Sequence, residues 1–515
     1  MDPNARAGMV IALPGGLVAG GVQVWALRLA NGLAERGRAV TLIVHRARDD
    51  QAGLAAVVHP GVRVVDLSYL PRLEDAGGDL STFIPPYRAA VDQMHTATGQ
   101  PVIASPNLLG DCYGIFASIV CQSPDRLRIV GWQHSPIPYD GRILEYYEPV
   151  VSRFVPVSEF MAAALRARLP HRAGDVRTLH CGADAAKEPR EVRRSGGGGS
   201  LRMIYVGRME NDLKRVVALV HMADALAARG VDHELTLVGD GPAAAEVDAL
   251  ARTRPSMKRL PAMAPHEVAG LLSSHDVLVL GSRIEGLSLS MLEAMGQGCV
   301  PVVVRTPSGV SEVIEHGVNG VLVETPEHAD VRQVGAAMAR GVASFSAASL
   351  AAMSAAAWKT VTSRFSMTRH LAFVEALIDQ VANTQPLQWP VARPCAFTAA
   401  PGALGSGAVP ADGAARLRLL LGSLDGRRVV LHGTGRHTLE LAPVLTEFMD
   451  RIVGFTDDDP SRHGGRLLTL PIVGARAAAT LHATDVVISS WMNQDLIWAR
   501  RDQYEQAGLR VHRLY

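Results

Sequence analysis

Residues 282–304 read SRIEGLSLSMLEAMGQGCVPVVV. An apolar run, Val277 to Leu280, precedes it as a strand. Glu285 and Gly286 then fall in a short loop, and a helix is predicted from near Ser288 to the Gly296 and Gly298 pair. Val300 to Val304 is the next strand. Strand, glycine-containing turn, helix and strand in succession aim helix-end backbone N–H groups at an anion such as a phosphate. Glu285 and Glu293 are eight residues apart. The first lies at the mouth of the turn; the second lies one helical turn in, about 5 Å deeper. An ionised carboxylate there can accept from two neighbouring hydroxyls. The competing reading is an ordinary βαβ unit with a solvated glutamate pair.

The same alternation extends in both directions. Upstream, Arg202 to Val206 is a strand, followed by Gly207, Arg208 and, six residues later, Lys214. His233 to Val238 is a strand that ends in the turn Gly239-Asp240-Gly241-Pro242. Downstream, GVSEVIEHGVNGVLV (309–323) continues the pattern, with Ser311 and Glu312 as candidate helix caps, and helices fill 331–381. The N-terminal third alternates likewise. Val10 to Leu13 is a strand, and a glycine-rich loop leads to a helix with Val22, Trp25, Leu29 and Leu33 on one face and Arg28, Glu35 and Arg36 off it. Strands follow at Val40 to Val44, Val62 to Leu67, Pro101 to Ser105 and Arg128 to Trp132, with helices at Pro86 to Thr98 and Asp111 to Cys121. His134 comes just past the last of these strands, where open α/β sheets bind ligands. Ser158, in VPVSE (155–159), is a candidate helix cap.

The central stretch resembles the donor-site signature of retaining glycosyltransferases of family 4, which have the GT-B fold. The residues that carry the likeness are Glu285, Gly286, Leu287, Leu289, Glu293, Ala294, Met295, Gly298, Pro301 and Val302. Ser288 stands where many members carry Gly or Pro, which bears on backbone contacts to the donor sugar. The resemblance covers roughly 8–382 and implies two Rossmann-like domains whose parallel sheets face a cleft. It implies donor-binding roles for Gly20, Gly21, Arg208, Lys214, Gly286, Leu287, Ser288 and Glu293. Arg208 and Lys214 would hold the donor diphosphate, Glu293 the ribose, and Glu285 with the amides after it the sugar. His134 and Glu285 are the candidate catalytic residues. No Asp-x-Asp metal motif stands out, and two cations with helix-end amides can stabilise a leaving diphosphate. No metal and no cofactor beyond the nucleotide-sugar substrate is therefore expected. The function implied is transfer of a sugar, with retention, to an acceptor hydroxyl in polysaccharide, glycolipid or other glycoconjugate synthesis. A nucleotide-sugar epimerase of the same fold and a catalytically silent scaffold are the rivals. An NAD reading of the first loop meets the objection that Gly20 and Gly21 do not complete G-x-G-x-x-G.

The whole chain sets bounds on these readings. Its 515 residues exceed one core, and 48% are apolar. A net charge of +1 argues against nucleic acid as the main partner. Five scattered cysteines (112, 121, 181, 299 and 395) form no CxxC, which fits a reducing cytoplasm. No run of about eighteen apolar residues is present. Arg166, Arg168 and Arg172 offer either a peripheral contact with an anionic membrane or a solvated helix face. The predicted divisions are an N-terminal domain over 1–194, joined as the resemblance implies by a crossing helix from about 365–382, a Gly-rich linker at 195–200, a donor domain over 201–382, a Pro/Ala/Gly-rich linker at 383–412, and a small Rossmann-like module over 413–515. In that module Arg428 to Leu431, Ile452 to Thr456 and Asp485 to Ser489 are strands, and Thr438 to Met449 is a helix. Gly433, Gly435 and Asp457 form a candidate second nucleotide site there, against the alternative of a docking domain. Thr438 takes the place of a third glycine. The sugar, the base, the acceptor and the oligomeric state are not legible.

Overall fold

The computed structural model describes residues 6–48, 53–54, 57–107, 109–189, 200–326, 329–398, 413–459, 462–490 and 494–514. Most of the Gly-rich stretch (195–199) and much of the second expected linker (399–412) lie outside them. Residues 1–136 and 143–396 make one compact body; 137–142 with 397–515 make a second.

The first body carries two parallel six-stranded sheets. The first holds β1 (Met9–Leu13), β2 (Val40–His45), β3 (Val62–Leu67), β4 (Val102–Ser105), β5 (Leu127–Gln133) and β6 (Val151–Pro156), in the order β3-β2-β1-β4-β5-β6. The second holds β7 (Leu201–Val206), β8 (His233–Val238), β9 (Met257–Leu260), β10 (Val277–Leu280), β11 (Val300–Val304) and β12 (Val321–Val323), in the order β12-β11-β10-β7-β8-β9. Counted from its own first strand, each sheet runs 3-2-1-4-5-6. The order reverses between strands one and four, and the crevice at the carboxyl ends of that pair is where such sheets take ligands. The strands are near-continuous apolar runs because helices cover both faces; β1, β10 and β11 are buried at every position.

Six helices matter for the site: α1 (Gly21–Glu35), α2 (Glu159–Arg168), α3 (Val216–Ala227), α4 (Leu289–Gly296), α5 (Val310–Val313) and α6 (Met367–Ala382). α6 follows the second sheet in sequence yet packs on the first. Glu375 pairs with Arg6 and Arg36, and Leu371 meets Gly32 so closely that a Cβ there would lie 2.5 Å away. Part of the Pro/Ala/Gly-rich stretch is packed as well: Trp389 stacks on Tyr147, and Tyr147 OH donates to the Cys395 carbonyl. Among the described residues no single helix is long and apolar enough to cross a membrane.

The second body has a sheet of β13 (Val429–His432), β14 (Ile452–Thr456), β15 (Arg466–Leu467), β16 (Leu470–Val473), β17 (Asp485–Ile488) and β18 (Arg510–Arg513), in the order β15-β16-β14-β13-β17-β18. All pairs are parallel except the β15–β16 hairpin, which the sequence reading did not contain. The single helix expected over 438–449 is two short ones, Arg436–Glu440 and Ala442–Glu447. Pro443 lacks the N–H that would continue the first helix and sits instead at the start of the second.

Candidate functional site

The predicted donor-site residues of the second sheet gather at the carboxyl ends of β7 and β10, its switch point. Arg208 follows β7, and Glu285 follows β10. Lys214 Nζ lies 2.7 Å from Glu285 Oε1, and the same oxygen accepts from Ser282 Oγ at 2.7 Å. Arg208 is half exposed and faces Glu210 at 3.2 Å. Burial pushes the Glu210 carboxyl above its usual range, opposed by Arg208 and Lys214. The loop bearing Glu285 is braced from α3. Arg215, the residue before that helix, is buried at a left-handed φ of 48°. Its guanidinium donates to the carbonyls of Gly281 (2.7 Å) and Ser282 (3.1 Å). These bonds offset the backbone strain and tie the two loops together. Arg215 was not singled out from sequence, where it reads as one more cation beside Lys214.

Ser288 is the N-cap of α4, its Oγ accepting from Met291 N at 3.4 Å. Leu287 is buried beside it. Gly286 has a different necessity: a Cβ there would lie 1.9 Å from the His134 carbonyl oxygen. The loop after β10 and the loop after β5 thus meet backbone to backbone, and only glycine permits it. Gly20 is the N-cap of α1, and Gly21 is its first residue; a Cβ on Gly21 would meet nothing within 4 Å.

The His134 imidazole is buried between two tryptophans, edge-on to Trp25 (centroids 4.6 Å) and stacked on Trp132 (6.0 Å). Burial, aided by the nearby His370, pulls its pKa down to about 3, so the ring is neutral at neutral pH. Its Nε2 is buried with no hydrogen-bond partner among the described residues. Behind it runs a polar chain. Trp25 Nε1 donates to His370 Nε2 (3.0 Å), whose Nδ1–H donates to the His180 carbonyl (2.9 Å). His180 Nε2 in turn contacts Glu312 Oε2 (2.8 Å).

Glu312 is a helix cap, though for a different helix from the one it lies in. Gly309 is the N-cap of α5, and Ser311 and Glu312 lie inside it. The Glu312 carboxylate instead accepts from the backbone N–H groups of Glu159 and Phe160, both at 2.9 Å, at the start of α2 on the other sheet. Ser158 Oγ takes Met161 N at 3.3 Å, so the expected Ser158 cap forms beside it.

Glu293 is the fifth residue of α4, just over one turn in. Burial raises its carboxyl above the usual range, opposed by the charge and hydrogen bond of Arg28. Arg28 NH1 lies 2.5 Å from Glu293 Oε1. From sequence Arg28 was merely off the apolar face of α1; the only signal was a lone cation in the run ALRLA.

Arg166, Arg168 and Arg172 each face a carboxylate: Glu159, Glu145 at 2.8 Å, and Asp175 at 2.7 Å. They are a paired surface, not an open cationic one.

In the second body Gly433, Gly435 and Asp457 come together at the ends of β13 and β14. Gly433 has φ 106°, which demands glycine. Asp457 Oδ2 accepts from Thr434 N (2.9 Å) and Thr434 Oγ1 (2.5 Å), and Oδ1 accepts from Asp459 N (2.9 Å). Burial opposes its ionisation, but Arg462 and these bonds hold the carboxyl below its usual range. Asp457 thus braces the glycine loop. Thr438 Oγ1 donates to the Gly433 carbonyl at 2.8 Å, a bond that a third glycine could not make.

Residues 19–187 match the family described as Glycosyltransferase Family 4, and residues 200–342 match Glycosyl transferases group 1. An alpha-D-kanosaminyltransferase of Streptomyces kanamyceticus is 34% identical over 134 residues, 25% of this chain and 34% of that protein. A D-inositol 3-phosphate glycosyltransferase of Pseudarthrobacter chlorophenolicus is 28% identical over 353 residues, 62% of this chain and 81% of that one. The chain thus spans about a third of the first relative and most of the second. Among solved structures, Anabaena HepE in complex with UDP and glucose superposes with a TM-score of 0.54 at 17% identity, covering 72% of this chain and 100% of that one. At that identity the likeness is one of fold.

Proposed function

Over residues 19–342 this chain belongs to the family 4 glycosyltransferases, a retaining group of GT-B fold, and we propose that it moves a sugar from a nucleoside-diphosphate donor to an acceptor hydroxyl. The observation that carries this reading is the Lys214–Glu285 contact at the switch point of the second sheet, beside the start of α4. It sets a cation for the diphosphate next to a carboxylate for the sugar.

In this reading Arg208 and Lys214 take the diphosphate, joined by the backbone amides at the start of α4. Together they stabilise the charge that develops as the glycosidic bond breaks, and they do so without a divalent ion. Glu285 accepts from the sugar hydroxyls, and Glu293 accepts from the ribose. The acceptor oxygen attacks the anomeric carbon on the face the diphosphate leaves, and a phosphate oxygen takes the acceptor proton. The buried Nε2 of His134, unpartnered among the described residues, supports a hydrogen bond to the transferred sugar. Being neutral, that imidazole orients without adding charge. The contact of Gly286 with His134 supports the two sheets closing over the donor, which keeps water from competing as acceptor. A glycan or lipid-linked acceptor would enter from the first sheet's loops.

The test is a thermal-shift panel of UDP, GDP, ADP, TDP and CMP with EDTA present, on the native chain and on Lys214→Ala. One diphosphate should raise the melting temperature, and Lys214→Ala should abolish the shift. No shift with any nucleotide, or an undiminished shift in the variant, overturns the reading.

A further inference from the structure

Arg28 and Glu293 come from different sheets. Arg28 is the eighth residue of α1, and its neighbours Leu27, Leu29 and Ala30 are all buried in the core. Its side chain is 19% exposed and that of Glu293 is 16% exposed, so the pair is largely shielded from water and salt. Arg28 NH1 is buried, and among the described residues its contact is the ion pair with Glu293 Oε1 rather than a hydrogen bond of regular geometry. That nitrogen therefore faces the carboxylate as its charged partner.

The far end of α4 is fixed as well. Ala186 N donates to the Gly296 carbonyl at 2.9 Å, and a Cβ at Gly296 would come within 2.5 Å of the Asp184 carbonyl oxygen. Helix α4 is thus held at its end by the 183–186 segment and at its middle by Arg28. The guanidinium makes its closest approach to one carboxylate oxygen, Oε1, and Oε2 accepts no hydrogen bond among the described residues. A ribose diol offers two O–H donors and needs an ionised acceptor; a protonated carboxyl would present a donor of its own.

We propose that Arg28 is a positioning residue for the donor nucleotide: from the first sheet it holds the Glu293 carboxylate of the second sheet ionised and turned so that its free oxygen receives the ribose hydroxyls. This rests on the ribose reading of Glu293. It makes nucleotide affinity and apposition of the two sheets mutually dependent, because the ribose acceptor is complete only when α1 lies against α4.

The charged groups acting on Glu293 are Arg28 on α1 and Asp184 on the segment beside α4. Asp184 opposes ionisation, so without Arg28 nothing offsets it or the burial. Removing Arg28 raises the pKa of Glu293. Affinity should then be lost at low pH and return as pH rises through the raised value.

The experiment is calorimetric titration of the full-length chain with UDP, GDP and ADP and their 2′,3′-dideoxy analogues, from pH 5.5 to 9. The proteins are the native chain, Arg28→Gln, Arg28→Lys and Glu293→Gln. Arg28→Gln should weaken the ribonucleotide at least tenfold at pH 6.5 and recover most of that by pH 9. It should leave the dideoxy analogue unchanged, and Arg28→Lys should restore binding in part. An Arg28→Gln loss that is equal for both nucleotides, or flat with pH, means that Arg28 only packs the helices, and the proposal falls. If Glu293→Gln weakens the ribonucleotide while Arg28→Gln does not, the proposal falls and the ribose reading stands. If Glu293→Gln binds as the native chain does, or no nucleotide binds the native chain, the ribose reading itself is overturned.

Discussion

Replacing Glu312 by Ala removes a helix cap supplied by one sheet to the other. The first donors of α2 are fully accounted for: Glu159 N and Phe160 N go to the Glu312 carboxylate, and Met161 N goes to Ser158 Oγ. Losing a polar cap costs about 1 to 2 kcal/mol. Losing a negative charge at a helix N-terminus adds about 0.5 kcal/mol. The His180 contact, partly open to water, adds about 0.5 kcal/mol. Water can reach the start of α2, where Glu159 and Phe160 are exposed, so no full desolvation penalty is added. The expected loss is about 2 to 3 kcal/mol in all. Equilibrium urea unfolding of the full chain by tryptophan fluorescence measures it, since four of the six tryptophans lie in the first body. The pH dependence gives a second check. Burial opposes ionisation of Glu312, but His180 and the two amides hold its carboxyl below the usual 4.5. A lowered folded pKa contributes stability above the unfolded value, and that stability is lost as pH falls through the folded one. The deficit of Glu312→Ala should therefore be full at pH 7.5 and shrink below about pH 4. A deficit under about 0.5 kcal/mol at pH 7.5, or one unchanged in acid, refutes the inter-sheet cap.

Two further outcomes follow from single close contacts. Gly286→Ala places a Cβ 1.9 Å from a backbone oxygen, so the two loops must part. We expect a stability loss of about 1 to 3 kcal/mol and a drop in nucleotide affinity, read by urea unfolding and calorimetric titration. Asp457→Ala leaves Thr434 N and its hydroxyl without their acceptor. It should destabilise the second body by about 1 to 3 kcal/mol, seen as a shift of one unfolding transition in differential scanning calorimetry, with nucleotide binding at the first body unchanged.

The elements nearest the opening stretch were the most legible. β10, α4 and β11 fall where the apolar runs and the closing glycines put them, because local periodicity is all that such short buried strands and a capped helix require. Lys214 and Glu285 were each legible as chemistry, yet their 2.7 Å contact joins residues 71 apart in sequence. Arg215 was not legible, because its left-handed backbone and its bonds to the 281–282 carbonyls have no local sequence signal. In the second body the β15–β16 hairpin has no turn signature in the sequence, since Leu468 and Thr469 take positive φ where Asn or Gly would have announced it.

Composition and periodicity were enough to establish an α/β chain with repeated βαβ units, and the resemblance of residues 282–304 to a known family implied a donor-type signature. Those are properties of short segments, and short segments are what a sequence displays. Which sheet supplies the partner of Glu293, which helix Glu312 caps and why residue 286 must be glycine were decided only by folding. Each depends on atoms brought within about 3 Å from opposite sides of the first body, and such contacts follow from how two sheets pack, not from any local pattern.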